Sequence, residues 1–482
     1  MNAPSTELGQ ELSAVELKAT LDSLKSSYHT NPYPSWEERK VWLKNLSDVI
    51  FNNKMRIAQA ISEDFGYRSP NDTLLAEVFP SLEGIRHALS HGKRWMKSQK
   101  KTASIWFKPA STELMPQPLG VIGVIVPWNY PLFLSVGPLT AALAAGNRCF
   151  IKMSEYTPRF SALLEELLTQ ALGRDVVQVV NGGPAVAAEF SKLPFDHLLF
   201  TGSTPVGKLV MKAASENLVP VTLELGGKSP AIVSPDCAKD PKRFHNAVAR
   251  TLSGKCINAG QTCIAPDYML VPKGTEQQVV QYAREIVRKR FPEGVNSKDF
   301  TGIVSDKHAG RLQRLIDEAE EKGAKVEYIM PPNPTSRKVP MTFLLNTPED
   351  SMAMTEEIFG PVMPIIGYDN LNDAMEYIKA RPRPLALYLF DDNKHTQTQV
   401  MQQTIAGGVC LNDTLFHIAQ DHLPFGGVGD SGMGHYHGKF GFDTMSKLKP
   451  IFKQNKLNAM ELLAPPYGKL FSIMTSLLTR KV

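Results

Sequence analysis

The chain has 482 residues, of which 43% are hydrophobic and 21% charged, and its formal net charge is +5. That length supports two or three domains with buried cores, and the composition excludes an intrinsically disordered chain. The positive balance is spread thinly and no Lys/Arg run is interleaved with aromatics, which excludes a nucleic-acid platform.

From about Glu11 to Lys101 the pattern is helical. Between Trp36 and Phe65, Trp42, Leu43, Leu46, Val49, Ile50, Ile57 and Ile61 recur at the spacing of one buried helical face. Gly66 closes that stretch as a residue free to adopt positive φ, and a second helical stretch runs from Leu74 to Ser98 with a kink expected at Pro80. After Ser104 the character changes. Leu119 to Val126 reads as a buried strand, followed by strands at Arg148 to Met153, Val176 to Asn181, His197 to Thr201 and Val219 to Leu225. Helices are predicted between them at Thr157 to Leu172, Ala185 to Leu193 and Pro205 to Asn217. Strands alternating with helices of this length call for a doubly wound parallel sheet, which binds ligands beyond the carboxyl ends of its strands.

A second α/β series follows: a strand from Ile264 to Val271, helices from Glu276 to Phe291 and Ala309 to Lys322, and strands at Leu385 to Phe390 and Gly408 to Asn412. The glycine-dense segment from Gly426 to Gly441 reads as a packed loop, and Leu470 to Leu478 as an amphipathic helix resting on this chain or a sister subunit, with membrane contact the lesser alternative. Cys149, Cys237, Cys256, Cys263 and Cys410 form no Cys-x-x-Cys pair, and five is an odd number, so disulfides and a zinc site are not expected. Met1 to Glu7 has no basic or apolar leader, and no apolar run approaches the ~18–20 residues of a membrane span. A cytoplasmic chain with reduced thiols is the expectation.

The chemistry-bearing segments come next. Cys263 closes Asn258-Ala259-Gly260-Gln261-Thr262-Cys263, and Glu224 opens Glu224-Leu225-Gly226-Gly227-Lys228-Ser229-Pro230. A thiolate attacks a carbonyl carbon, and a carboxylate activates the water that later removes the acyl group. Pro127-Trp128-Asn129-Tyr130-Pro131 ends the first buried strand and offers the Asn129 amide as an oxyanion donor, a contribution worth ~2.7–4 kcal/mol of barrier. Thr201-Gly202-Ser203-Thr204-Pro205-Val206-Gly207-Lys208 opens a helix whose free N–H groups suit a pyrophosphate or simply a cap. Leu209 stands where a P-loop needs its magnesium-binding hydroxyl, which argues against a phosphotransferase. Lys152 and Glu155, at the exit of a strand, can share ribose hydroxyls or pair with each other, and a carboxylate there favours NAD over NADP. His435 and His437 would face one side of a strand without a third ligand, so no metal is expected.

Taken together, these motifs resemble the NAD(P)-dependent aldehyde dehydrogenase superfamily over essentially the whole length. Tyr130, the run Ile264-Ala265-Pro266-Asp267-Tyr268 and the segment from Asn412 to Gly434 are similar to its class 3-like branch. His417-Ile418-Ala419-Gln420 and Gly434-His435-Tyr436-His437-Gly438 look most like bacterial coniferyl aldehyde dehydrogenases. The spacing from Glu224 to Cys263 is longer than that branch leads one to expect, and Met153 stands where it usually has Pro.

The resemblance implies a Rossmann-like cofactor domain (residues 1–103 and 119–223), a second α/β catalytic domain (224–442), a small β oligomerisation extension (104–118 and 443–453) and a tail (454–482). It implies Cys263 as nucleophile, Glu224 as general base and Asn129 as oxyanion donor. Gly202 and Gly207 would lie under the pyrophosphate, Lys152 and Glu155 at ribose hydroxyls, Glu357 at the nicotinamide ribose and Phe359 beside the ring, with Ser203 and Trp128 also in the cofactor-binding set. Tyr130, Leu132, Leu134, Ile264, Leu415, Phe416 and Phe425 are the candidate substrate pocket; apolar and without an obvious Arg, they suit aromatic or medium-chain aldehydes. Coniferaldehyde is the first expectation, a fatty aldehyde the second, and a silent binding protein on the same fold the alternative of another class. A homodimer is implied by the resemblance.

Overall fold

Three sheets organise the computed structural model, which describes residues 11–333, 337–456 and 464–479. The segment Met1 to Glu7 and parts of the tail, both read from the sequence above, lie outside the described residues. In chain order the strands are β1 (Gln99–Lys101), β2 (Ser111–Pro118), β3 (Val121–Ile125), β4 (Arg148–Lys152), β5 (Val177–Val180), β6 (His197–Thr201), β7 (Val221–Glu224) and β8 (Pro230–Val233). They continue with β9 (Tyr268–Pro272), β10 (Lys325–Tyr328), β11 (Thr342–Leu345), β12 (Val362–Tyr368), β13 (Ala386–Phe390), β14 (Gly408–Leu411), β15 (Gly432–Met433) and β16 (Ser446–Lys453).

The first sheet has the order β15-β7-β6-β3-β4-β5, with β3 to β7 parallel and β15 antiparallel on β7. Chain order runs outward from β3 in both directions, which makes the end of β3 a topological switch point. Register brings Ile125 level with both Lys152 and Phe200, and Thr201 level with Glu224. Four site-bearing segments thus leave the sheet along one edge. The second sheet, β10-β11-β12-β9-β8-β13-β14, is parallel except for β10. The chain passes from the C-terminal end of β7 at Glu224 to the N-terminal end of β8 at Pro230. The site therefore lies between the carboxyl edge of one sheet and the amino edge of the other.

The third sheet pairs β2 with β1 and β16, antiparallel, from Ser446 opposite Pro118 to Lys453 opposite Ser111. The long predicted helix is present as Trp36–Asp64, capped by Ser35, whose hydroxyl accepts from the Glu38 amide while the Glu38 carboxylate accepts from the Ser35 amide. Residues 70–95 are helical throughout, and a π turn, Leu74–Val78, stands just before Pro80, a local distortion of the ladder where proline has no N–H to give.

Three expectations are corrected. The segment read as strand from Ile264 is irregular until Tyr268, because its backbone serves the cysteine loop. Gly426 to Gly441 is not all loop: β15 pairs with β7, and a helix, Gly438–Thr444, follows. The chain at His435 to His437 is no strand, since His437 turns at φ 104 into the core while His435 stays exposed. The structure adds a helix, Phe133–Ala145, that carries no sequence periodicity because every residue but Gly137 is buried.

The tail helix, Lys469–Leu478, buries none of its residues in this chain, and Leu470, Ile473 and Leu477 are about half exposed (49%, 59% and 52%). Among the described residues no helix is long and apolar enough to cross a membrane.

Candidate active site

Helix Pro241–Cys256, capped by the Asp240 carboxylate, delivers the chain to the cysteine loop. There Asn258, Ala259 and Gly260 take φ of 51°, 51° and 72° in succession. A left-handed non-glycine residue costs of order 1–3 kcal/mol, so the surroundings must hold it. They do. Asn258 donates its amide N–H to the Asp72 carboxylate (3.1 Å) and its side chain to the Asn129 carbonyl (2.9 Å). Gln261 donates to the carbonyls of Asn258 and Gly302 and accepts from the Val304 amide, and Tyr130 shares a 2.6 Å hydrogen bond with Thr262.

At Gly260 a Cβ would stand 2.4 Å from the Gly360 carbonyl oxygen. Gly260→Ala is therefore expected to cost about 2–4 kcal/mol, overpacking added to backbone strain. Denaturant unfolding measures that cost, and turnover should fall with it because Cys263 follows three residues later. Unchanged stability would show that the loop relaxes freely.

Cys263 itself is half-buried and unpaired in a disulfide. Burial pushes its thiol pKa well up, and the Glu357 and Glu224 carboxylates push it further, so the resting group is a thiol. Glu224 ends β7 at 2% exposure, and both its oxygens lack a hydrogen-bond partner among the described residues. Burial alone raises its pKa far above the carboxylate range. A buried acid with two vacant acceptors beside a thiol is costly for stability and apt for moving a proton.

Asn129 is 3% exposed and donates through Nδ2 to the Gln261 carbonyl at 3.2 Å, which ties it to the backbone just before Cys263. Its own carbonyl accepts from Arg68 at 2.9 Å. Arg68 is fully buried, pairs with Glu77 at 2.8 Å and lies over the Tyr130 ring at 5.0 Å. The second Glu77 oxygen accepts from the Leu132 and Phe133 amides, fixing the start of the buried helix.

On the other side of the cleft, Gly202 donates its N–H to the Glu224 carbonyl (3.0 Å), and a Cβ there would strike the Phe200 ring at 2.5 Å. Gly207 lets helix Thr204–Ser215 approach Leu225, where a Cβ would meet a methyl at 2.7 Å. Ser203 is the N-cap and makes no side-chain cap bond, so its hydroxyl does not occupy the first amides of the helix. Lys152 is buried at 3% exposure, with its ammonium 3.8 Å from the partly exposed Glu155 carboxylate. Glu357 has one oxygen buried without a partner among the described residues, and burial next to Asp267 lifts its pKa to about 8. Gly226 leaves room for that carboxylate: a Cβ would come within 2.3 Å of it. Phe359, at φ 52°, meets the edge of Trp128 at 5.4 Å.

The pocket candidates divide. Tyr130, Leu132, Leu134 and Ile264 are buried around the cysteine loop, Phe425 stacks on His437 at 5.4 Å, Leu415 is partly buried and Phe416 is 58% exposed.

Comparison with known proteins now bears on this geometry. Residues 10–451 match the model of the aldehyde dehydrogenase family. The chain belongs to the aldehyde dehydrogenase family. It is 51% identical over 94% of both chains to a Pseudomonas aeruginosa protein named probable coniferyl aldehyde dehydrogenase. It is 39% identical over 98% of both to the coniferyl aldehyde dehydrogenase of a Pseudomonas species. Among solved structures, the substrate-bound state of Staphylococcus aureus AldH superimposes with a TM-score of 0.90, at 35% identity over 96% of this chain and 99% of that one. The NAD+ complex of a Bacillus cereus aldehyde dehydrogenase gives 0.82 at 27% identity over 92% and 90%.

This aldehyde dehydrogenase holds residues at its site that sequence reading passed over. Tyr436 is 1% exposed, its hydroxyl lacks a partner among the described residues, and burial, with Glu224 and Cys263 adding to it, pushes its pKa up. His308 packs on Trp128 at 5.0 Å and Tyr156 at 5.3 Å, walling the side that bears Phe359. Lys255 is fully buried and burial lowers its pKa to about 8. Lys228 grips the Asp267 carboxylate and the carbonyls of Ala353 and Glu356, and Asp267 accepts from the Ile358 amide, which sets the turn carrying Glu357. Arg68 and Glu77 carried no signal, because charges in a helical stretch read as solvated.

Proposed function

We propose that this aldehyde dehydrogenase oxidises an aromatic aldehyde, coniferaldehyde first, to its carboxylic acid through a covalent bond to Cys263. The observation that carries the reading is the Cys263 thiol beside the Glu224 carboxylate, whose two buried oxygens have no partner among the described residues.

Cys263, once deprotonated, forms a C–S bond to the carbonyl carbon, and the carbonyl oxygen takes the negative charge. Asn129 uses one Nδ2 hydrogen on Gln261 and directs the second at that oxyanion, together with a backbone N–H of the cysteine loop. A nicotinamide dinucleotide, when bound, would supply the acceptor for the hydride that leaves that carbon, so that the acyl group stays on Cys263 as a thioester. Glu224 then takes a proton from water; the water oxygen bonds to the acyl carbon, the C–S bond breaks, and the acid leaves. Retention of this carboxylate favours water over a thiol as the acyl acceptor.

The residues present fit a dinucleotide. Helix-start amides at Thr204, left uncapped by a side chain, suit its pyrophosphate, the vacant Glu357 oxygen a ribose hydroxyl, and Trp128 with Phe359 the ring. The Glu155 carboxylate beside Lys152 supports NAD over NADP, because it would repel a 2′-phosphate. The chain divides into the cofactor, catalytic and extension segments set out from the sequence, and it works in the cytoplasm. The outer edge of β16, near the exposed Ile105, Trp106 and Phe107, supports pairing with a second copy.

The substrate reading rests on the apolar lining and on the names of the Pseudomonas relatives. A panel scored by kcat/KM, with NAD and NADP compared, tests it. Coniferaldehyde with NAD should lead. Preference for long-chain aldehydes would install the fatty-aldehyde reading, and absence of turnover with every aldehyde would leave a silent fold.

A further inference from the structure

Away from the cysteine loop, helix Phe79–Trp95 carries His87 and His91 on successive turns of one face. Their rings stack at 4.3 Å, and His422 arrives from a separate loop, edge-on to both at 4.4 Å and 5.4 Å. One ligating nitrogen from each residue lies within 4.8 Å of the others. We propose that His87, His91 and His422 form a binding site for a divalent transition cation of the zinc class.

Chemistry of the donors supports this beyond their proximity. His91 Nδ1 lies 2.9 Å from the His87 carbonyl oxygen and must donate to it, so Nε2 keeps its lone pair. A ring nitrogen anchored to a carbonyl while the other faces outward is the arrangement that orients metal-binding imidazoles. Gly438 keeps one edge of the trio open, since a Cβ there would stand 3.1 Å from His87 Nε2. The three rings border a cavity of about 330 Å³ that Asp421, Asp443, Trp95 and Arg94 also line. Asp443 gives one oxygen to Lys439, and its other oxygen is buried without a partner among the described residues. That oxygen or a water completes a fourth position.

Zinc–nitrogen bonds of about 2.0–2.1 Å in a tetrahedron set ligand nitrogens about 3.3 Å apart. The trio must therefore close by up to about 1.5 Å, and His422 is its exposed member. Imidazole donors select zinc, nickel, cobalt or copper over magnesium and calcium. The ion would clasp the helical layer to the loop leading to Phe425 and His437; it takes no part in the reaction at Cys263.

The test uses the full chain carrying Cys263→Ser, so that the reactive thiol cannot take the metal, stripped with a chelator and titrated with Zn2+ alone by calorimetry. One Zn2+ per chain at micromolar affinity or tighter is expected, with a rise in melting temperature. His91→Gln and His422→Gln should each weaken binding by about 100-fold, and His422→Gln should abolish the thermal shift. Co2+ adds a reading that needs no histidine variant, the visible absorption of a nitrogen-rich tetrahedral site. Absence of saturable Zn2+ binding, or an affinity in both histidine variants as tight as with all three histidines present, overturns the site, as does a Co2+ spectrum no different from the free ion.

Discussion

Cys263→Ser is expected to lower steady NADH formation by about 10,000-fold or more, the scale seen when a covalent nucleophile is removed. The change replaces one sulfur by one oxygen in a loop whose side-chain hydrogen bonds run through Asn258, Gln261 and Thr262. Melting temperature should therefore stay nearly constant. What is lost is access to the anion. Burial and the two neighbouring carboxylates already hold the thiol well above its ordinary pKa. A hydroxyl, far weaker as an acid, would not ionise there at all. The same cause fixes the sign of the pH dependence in the parent enzyme: acylation quickens as pH rises, because the reactive anion becomes more populated. Single-turnover NADH formation against pH measures this. Steady acid production undiminished in the serine variant would reduce Cys263 to packing.

The layout of the candidate site was legible where local sequence carries the constraint. Glycines crowd the backbone around Cys263 and Glu224 because a side chain would collide, as at Gly226 against Glu357 and Gly260 against Gly360, and those positions stand out in a sequence. The parallel strands announced themselves as short apolar runs; the edges of His197–Thr201 were met residue for residue. Legibility failed where partners are remote. Arg68 and Glu77 are neighbours in space but support Asn129 and the helix at Phe133, far along the chain. Helix Phe133–Ala145 is apolar on every side, so no period marks it. His422 and the pair at His87 and His91 come from segments more than three hundred positions apart, and only folding brings them together.

Glu224→Gln separates the two halves of the reaction. The replacement keeps the shape and removes the basic oxygen, so water can no longer lose its proton to residue 224. The first turnover, which needs only thiol attack and electron transfer, should survive, whereas steady turnover should fall by about 100- to 10,000-fold. Rapid-mixing kinetics would show a burst of one NADH per site followed by a nearly flat line. In the parent, the buried carboxyl must first ionise, and its raised pKa means that deacylation strengthens as pH climbs; the variant should lose that dependence. Stability moves the opposite way. A carboxyl whose folded pKa is raised favours the fold below its unfolded value and withdraws that support as pH rises toward the folded one. The glutamine variant should therefore gain on the parent at alkaline pH, where the parent must bury an ionised carboxylate with no partner. Loss of the burst itself in Glu224→Gln would move the carboxylate to the other half of the reaction, as the base that takes the proton from Cys263.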